Sequence, residues 1–217
     1  MSQPAPSLRR LNVRSSDLPP GAPSGARGVI LSAALALFAE RGFGATSIRG
    51  IAREAGVRSP TLYSHYPSKE HILAALIEIG FEAHQQHVRR AVLDSGRDPR
   101  EQLAAFVRGH VSMHTAFPML GVVAHAERHL LSPKLAARSL SIQQESAELL
   151  FDILQRGVDS KVFHVPDVWL AAAPIGGMGV RVAEWYTPEF HLSAEQVAEA
   201  YAEFALRIVG AVRDTPS

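Results

Sequence analysis

The chain has 217 residues, 47% of them hydrophobic and 20% charged, which suits a sizeable packed core and excludes a chain disordered throughout. It contains no cysteine, so disulfide scaffolds, thiolate metal centres and cysteine nucleophiles are excluded. The formal net charge of +1 hides an uneven distribution: residues 1–90 carry 11 Lys and Arg against 6 Asp and Glu, while residues 91–217 carry 11 against 15, the pattern expected if only the N-terminal end meets a polyanion.

Residues 1–24 are rich in Pro, Ser and Gly without periodicity and are predicted to be a disordered arm, with Arg9, Arg10 and Arg14 solvated. No apolar run approaches the roughly 18–20 residues of a membrane span. The longest, 29–39, is bracketed by Arg27, Glu40 and Arg41. No signal-peptide core follows the first arginines, so a soluble, unexported, cytoplasmic protein without a membrane partner is expected.

From Arg27 the pattern becomes helical, with Ile30, Leu31, Ala34, Leu37 and Phe38 on one face and Gly42 as a stop. A second helix starts near Ser47, capped by Ser47 or Thr46, and ends at Gly56. A short third helix covers 59–65, and a fourth opens with Ser68 as cap and Glu70 in its first turn, running to about Leu93. Further helices are predicted near 99–116, 118–130, 133–157, 167–186 and 193–213, punctuated by Pro118, Pro133, Pro166 and Pro188. No strand-like alternation occurs, so the fold should be all-α with about nine helices.

The stretch 46–70, TSIRGIAREAGVRSPTLYSHYPSKE, is the most informative. Two short helices meet at Ala55-Gly56-Val57, where glycine permits a reversal with positive φ. Ile48, Ile51, Ala52, Val57 and Leu62 can form the small core that fixes their crossing, which leaves Arg58, Ser59, Pro60, Thr61, Tyr63 and His65 on or near the open face. A helix presented in this way fits the major groove of DNA.

This segment resembles the DNA-binding domain of the TetR family of repressors from about Arg27 to Ala75, through "ERGF", "TSIRGIAREAGV" and "TLYSHYPSKE". The resemblance implies a head over 25–70 and a helical ligand-binding and dimerisation domain over 71–214. It implies phosphate or base-edge contacts from Ser47 and Arg49, base-edge or thymine-methyl contacts from Ser59, Pro60 and Thr61, and phosphate contacts from Tyr63, His65 and Lys69. Arg58 stands where the family varies and is a candidate for guanine readout. Tyr66 is expected to pack against the first helix instead. One such head binds weakly, so a homodimer on a pseudo-palindromic operator, with salt-sensitive affinity, is implied.

In the second half, plain helix-bundle core accounts for most large apolar residues, yet Met and aromatic side chains beside Ile175-Gly-Gly-Met-Gly179 suit an adaptable apolar cavity. The adjacent glycines allow either close helix contact or room for a ligand. Two stretches, HVSMHTAFPMLGVVAHAERHLLSPK and LLFDILQRGVDSKVFHVPDVWLAAAPIGGMGVRVAEWYTP, resemble the acyl-CoA-responsive subgroup of the same family. A small apolar effector, an acyl-CoA or a similar compound, is implied, with Phe106, His110, Met113, His114, Phe117, Phe151, Met178, Arg181 and Trp185 as the binding set. The subgroup often has arginines where this chain has Glu184 and Thr187, and Arg181, one turn before Trp185, can take their place. Dimerisation is expected through the last two helices, using Val168, Leu170, Ala171, Pro174, Val180, Val197, Tyr201, Phe204, Ala205, Ile208 and Val212, some of which must face the subunit's own core.

His110/His114 and His125/His129 are i, i+4 pairs, a spacing that puts two imidazoles on one helical face, and Glu127 or Glu145 can complete a shell. Such pairs are common on helices and no cysteine assists, so no metal ligand is assigned and no cofactor is expected. No nucleophile elbow, P-loop or H-E-x-x-H occurs, and the chain is not expected to be an enzyme. The expected function is a ligand-responsive transcriptional regulator, a repressor released from its operator by its effector, with the fourth helix as the lever. The alternative is a small-molecule or metal-binding helical protein with a vestigial DNA-binding head.

Overall fold

The computed structural model describes residues 17–211, and these are helical with no strand among them. The helices are α1 (Gly25–Ala45), α2 (Ile48–Glu54), α3 (Ser59–His65), α4 (Lys69–Asp94), α5 (Pro99–Ala116), α6 (Pro118–Glu127), α7 (Pro133–Asp159), α8 (Val168–Trp185) and α9 (Ala194–Ile208), with a 3-10 turn at Arg128–Leu130. Pro99, Pro118 and Pro133 each occupy the first helical position, where a missing N–H costs nothing. Ser193 and Gln196 close a reciprocal capping box at the start of α9. This last helix ends at Ile208, short of the expected 213, because the chain turns at Gly210, whose φ is 68°.

The chain divides into two compact units. The first holds the described residues up to Ala83 together with Phe117–Ile142 and Ala183–Thr187. Its core is built on α1, where Ile30, Leu31, Ala34, Leu35, Leu37 and Phe38 are all buried. One side of α1 packs on α2 and another on α6, whose Met119, Leu120, Val123 and Ala124 join the same cluster. The head expected over 25–70 thus lies inside a larger unit, because α1 is too apolar to be covered by α2 and α3 alone. α1 has 21 residues, and an 18-residue stretch of it has a mean hydropathy of 1.4, so by length and composition alone it could cross a membrane, while the apolar run inside it is the expected 29–39. Its buried side chains make it the central core helix of this unit.

Of the arm expected over 1–24, residues 1–16 lie outside the described residues. Within residues 17–24 Pro19 is buried, and a turn is closed by the Ala22 N–H donating to the Pro19 carbonyl at 3.1 Å.

The second unit holds His84–Ala116, Gln143–Val182 and the described residues from Pro188 onward. Here α9 lies along α5, and Leu103, Val107, Val111, Ile153, Leu154, Ile175, Val197 and Ala205 are buried. At the end of α7 the chain doubles back through Lys161, whose φ is 60°. The N–H groups of Val162 and Phe163 both reach the Gly157 carbonyl at 2.9 Å, so the buried Phe163 ring folds directly over Gly157.

Candidate functional site

The helix-turn-helix is assembled by local signals that reinforce one another. Ser47 caps α2, its Oγ accepting from the Gly50 N–H at 3.0 Å. Thr46, the other candidate cap, is buried and turns its hydroxyl toward the carbonyls of Gly42 and Leu37, at 2.9 and 3.2 Å. Gly56 takes the left-handed conformation at φ 64°, and the Val57 N–H returns to the Ala52 carbonyl at 2.9 Å. On α3, Leu62 is the buried anchor. Arg58, Pro60, Tyr63 and Ser64 are exposed, with Tyr63 at 50%, and Ser59, Thr61 and His65 are half-buried. Ser47 and Arg49 are exposed on α2, as is Arg53, which the sequence reading did not single out. Tyr66 is buried, with the Arg27 guanidinium 5.5 Å from its ring centre, in keeping with its expected place against α1.

Lys69 is placed differently from a simple phosphate clamp. Its Nζ donates to the carbonyls of Phe43 and Thr46 at 2.6 and 2.7 Å and lies 4.1 Å from the Phe43 ring centre. A cation there satisfies carbonyls at the end of α1, so two of its three donors are spent on the fold. Burial holds this ammonium below its ordinary value, opposed by the attraction of Glu127. Glu127 itself accepts from the Phe43 N–H at 3.1 Å. That N–H loses its helical partner because Gly42, at φ 79° and ψ 161°, breaks α1 before its nominal end. The sequence suggested Glu127 only for a metal shell, and this role was not legible because Glu127 meets the corner from 84 residues away.

Glu70 also ties elements of the first unit together, accepting from the Ser132 N–H at 2.7 Å just before α7. That bond holds its carboxyl below the usual glutamate value. A lowered folded value means its stabilising contribution is complete above the unfolded value and is lost as pH falls through the lowered one. Carboxyl-detected NMR titration should find Glu70 below the ordinary glutamate value, and Ser132→Pro, which removes the donor, should return it to that value.

Of the effector residues implied by the sequence, Phe106, His110 and His114 are buried in the second unit, and Phe106 stacks on His110 with ring centres 6.1 Å apart. Met113, Phe151 and Met178 are half-buried there, and Arg181 is exposed. Phe117 and Trp185 are half-buried in the first unit. The glycine-rich segment serves close approach at one position: a Cβ on Gly179 would stand 2.1 Å from His110 Cδ2. Within the same contact the His110 Nε2 donates to the Gly176 carbonyl at 2.9 Å. Burial lowers the His114 value against the opposing bond to the His110 carbonyl, so the imidazole favours its uncharged form.

Large apolar side chains remain open on both α8 and α9: Trp169 and Leu170 are 63% and 60% exposed, and Phe204 and Ile208 are also exposed. Of the residues expected at a dimer interface, Ala171, Val197 and Ala205 are instead buried in the unit's own core, the inward faces of the same helices. Val212 lies outside the described residues.

Two family models match. Residues 30–76 match the bacterial regulatory proteins of the tetR family, and residues 96–209 match the tetracyclin repressor-like C-terminal domain. The chain belongs to the TetR family. It is a DNA-binding transcriptional regulator of that family, and not an enzyme. Among TetR-family relatives, the HTH-type transcriptional repressor KstR2 of Rhodococcus jostii is 30% identical over 185 residues, which cover 84% of this chain and 90% of the relative. A regulatory protein in the TetR family from Rhodococcus RHA1 has been solved that is 28% identical, with a TM-score of 0.80, covering 86% of this chain and 98% of that one. The fold is shared with AibR, solved in complex with isovaleryl coenzyme A and operator DNA, at 23% identity and a TM-score of 0.75, covering 83% and 97%.

Proposed function

We propose that the chain is a homodimeric, cytoplasmic repressor that grips a pseudo-palindromic operator through residues 25–70 and is released by a small apolar effector, an acyl-CoA or a similar compound, held by residues 71–214. The observation that carries the DNA-binding part is the exposure of Arg58, Pro60, Tyr63 and Ser64 on a helix anchored by Leu62. In this reading Ser47, Arg49, Tyr63 and His65 bond phosphates, and Lys69 adds its remaining donor. Arg58, Ser59, Pro60 and Thr61 face base edges. The exposed apolar side chains Trp169 and Leu170 on α8 and Phe204 and Ile208 on α9 support pairing through these helices. For the repressor and effector parts, the support is the named function of KstR2 and the two stretches that resemble the acyl-CoA-responsive subgroup.

Fluorescence anisotropy with the DNA upstream of the chain's own gene tests the reading. Binding should weaken steeply with salt, as expected when phosphates are neutralised. Arg58→Ala should lose about 1–3 kcal/mol of affinity and relax discrimination at one base pair, while Arg49→Ala should weaken all sequences alike and flatten the salt slope. Saturating acyl-CoA thioesters of varied acyl groups should lower operator affinity by a coupling of about 1–3 kcal/mol. Unchanged affinity across such compounds would sink the effector assignment, and no binding at low salt would sink the repressor.

A further inference from the structure

The second unit gathers three histidines from two helices. His84 comes from α4, and His110 and His114 come from one face of α5. Each offers one nitrogen, and the three nitrogens lie within 4.8 Å of one another. We propose that His84, His110 and His114 bind one divalent first-row transition ion of the zinc type per chain.

The surrounding carbonyls already set the tautomers such a site needs. His110 Nε2 lies 2.9 Å from the Gly176 carbonyl oxygen, which can only accept, so Nε2 carries the proton and the lone pair sits on Nδ1. His114 Nδ1 lies 2.8 Å from the His110 carbonyl oxygen, so by the same reasoning its lone pair sits on Nε2. An imidazole whose far nitrogen donates to a carbonyl is the usual arrangement around a bound metal, because that bond fixes the ring and raises the basicity of the ligating nitrogen. Gly179 contributes as well, since its missing Cβ is what lets the α8 backbone come this close to His110.

The third ring completes the set by a change of tautomer. His84 Nε2 stands 2.6 Å from His110 Nδ1 and donates its proton there. When an ion enters, that proton moves to His84 Nδ1, the ring stays neutral, and both nitrogens turn their lone pairs to the metal. Zinc–nitrogen bonds of about 2.0–2.1 Å in a tetrahedron place ligand nitrogens roughly 3.4 Å apart. The close pair must therefore open and the widest pair close by about an ångström, which the half-buried His84 can supply.

Three imidazoles without carboxylate favour zinc, cobalt, nickel or copper over magnesium or calcium. The fourth position is then open to water or to an oxygen of a bound compound. Of the two carboxylates considered from sequence, Glu127 accepts from the Phe43 N–H and Glu145 accepts from Gln85 Nε2, on the position after His84 in α4. His110 and His114 also belong to the effector set implied by the sequence, so the ion is titrated in the absence of any effector.

The test uses the untagged full chain stripped with chelator. Cobalt titration should give visible ligand-field bands of four-coordinate intensity, saturating at one ion per chain, and zinc should displace the cobalt. His84→Gln should weaken zinc binding, measured against a chromophoric chelator, by more than the roughly 10–100-fold that loss of an outer-shell partner costs. The double change His125→Gln, His129→Gln should leave it unaltered. X-ray absorption at the zinc edge of the unmutated protein should count three imidazoles, a readout that requires no variant to fold. Absence of a stoichiometric ion, fewer than three imidazoles, or wild-type binding by folded His84→Gln would overturn the assignment.

Discussion

Replacing Leu62 by alanine is expected to cost about 2–5 kcal/mol and to remove operator binding with it. Leu62 is fully buried at the centre of a seven-residue helix whose remaining side chains are exposed or half-buried. So short a helix is not stable by itself, and its position on the protein derives from this anchor together with Gly56. The loss is therefore larger in function than in bulk stability, because a loosened α3 no longer presents Arg58 and Tyr63 together. Tyr63→Ala supplies the contrast: its side chain is half open to solvent, so stability should move by no more than about 0.5 kcal/mol while DNA affinity falls. Urea denaturation and anisotropy on both variants separate the two effects. A Leu62→Ala protein with the wild-type midpoint and affinity would show that α3 is held by something else.

The second large effect concerns Gly157 and reverses the sign that helix propensity alone gives. Alanine is better than glycine in a helix by about 1 kcal/mol, so Gly157→Ala on α7 would be expected to stabilise. The added Cβ, however, would stand 1.9 Å from Phe163 Cδ2, and that ring is buried with nowhere to retreat. Overpacking of this kind costs about 1–3 kcal/mol, so the variant should be destabilised on balance. Phe163→Ala alone should cost about 3–5 kcal/mol. In that background Gly157→Ala should become neutral or stabilising by up to about 1 kcal/mol, because only the propensity remains. A double-mutant cycle by thermal or chemical denaturation reads the coupling. Additive behaviour would mean that Phe163 does not lie over Gly157.

Helix positions were legible because prolines and caps mark them. The expected 99–116 and 59–65 segments coincide with α5 and α3, and Ser68 caps α4 as read, with its Oγ accepting from the His71 N–H at 3.3 Å. Less legible was anything decided by distant partners. Gly42 reads as a helix end and does break α1, with φ 79° and ψ 161°, but nothing local shows that Glu127 and Lys69 satisfy the groups that the break releases. The choice between Thr46 and Ser47 as cap needed the α1 carbonyls that Thr46 bonds. The i, i+4 spacing revealed His110 and His114, but His84 is 26 residues before His110 and on another helix, where no local periodicity connects them. The glycine run in α8 left open whether it served contact or space, and Gly179 answers for contact only once His110 is seen against it.

The participation of residues 117–142 in the first unit limits how freely this head can be exchanged between regulators. A hybrid joined after Ala83 would import α1 without Leu120, Val123 and Ala124, and α1 would then present an oily flank to whatever foreign helix replaced them. The workable cassette is discontinuous: α1 to the first half of α4, α6 with the turn after it, the opening of α7 and the segment Ala183–Thr187 must travel together. Glu127, lying far outside the stretch that makes the head recognisable by its sequence, has to travel with them.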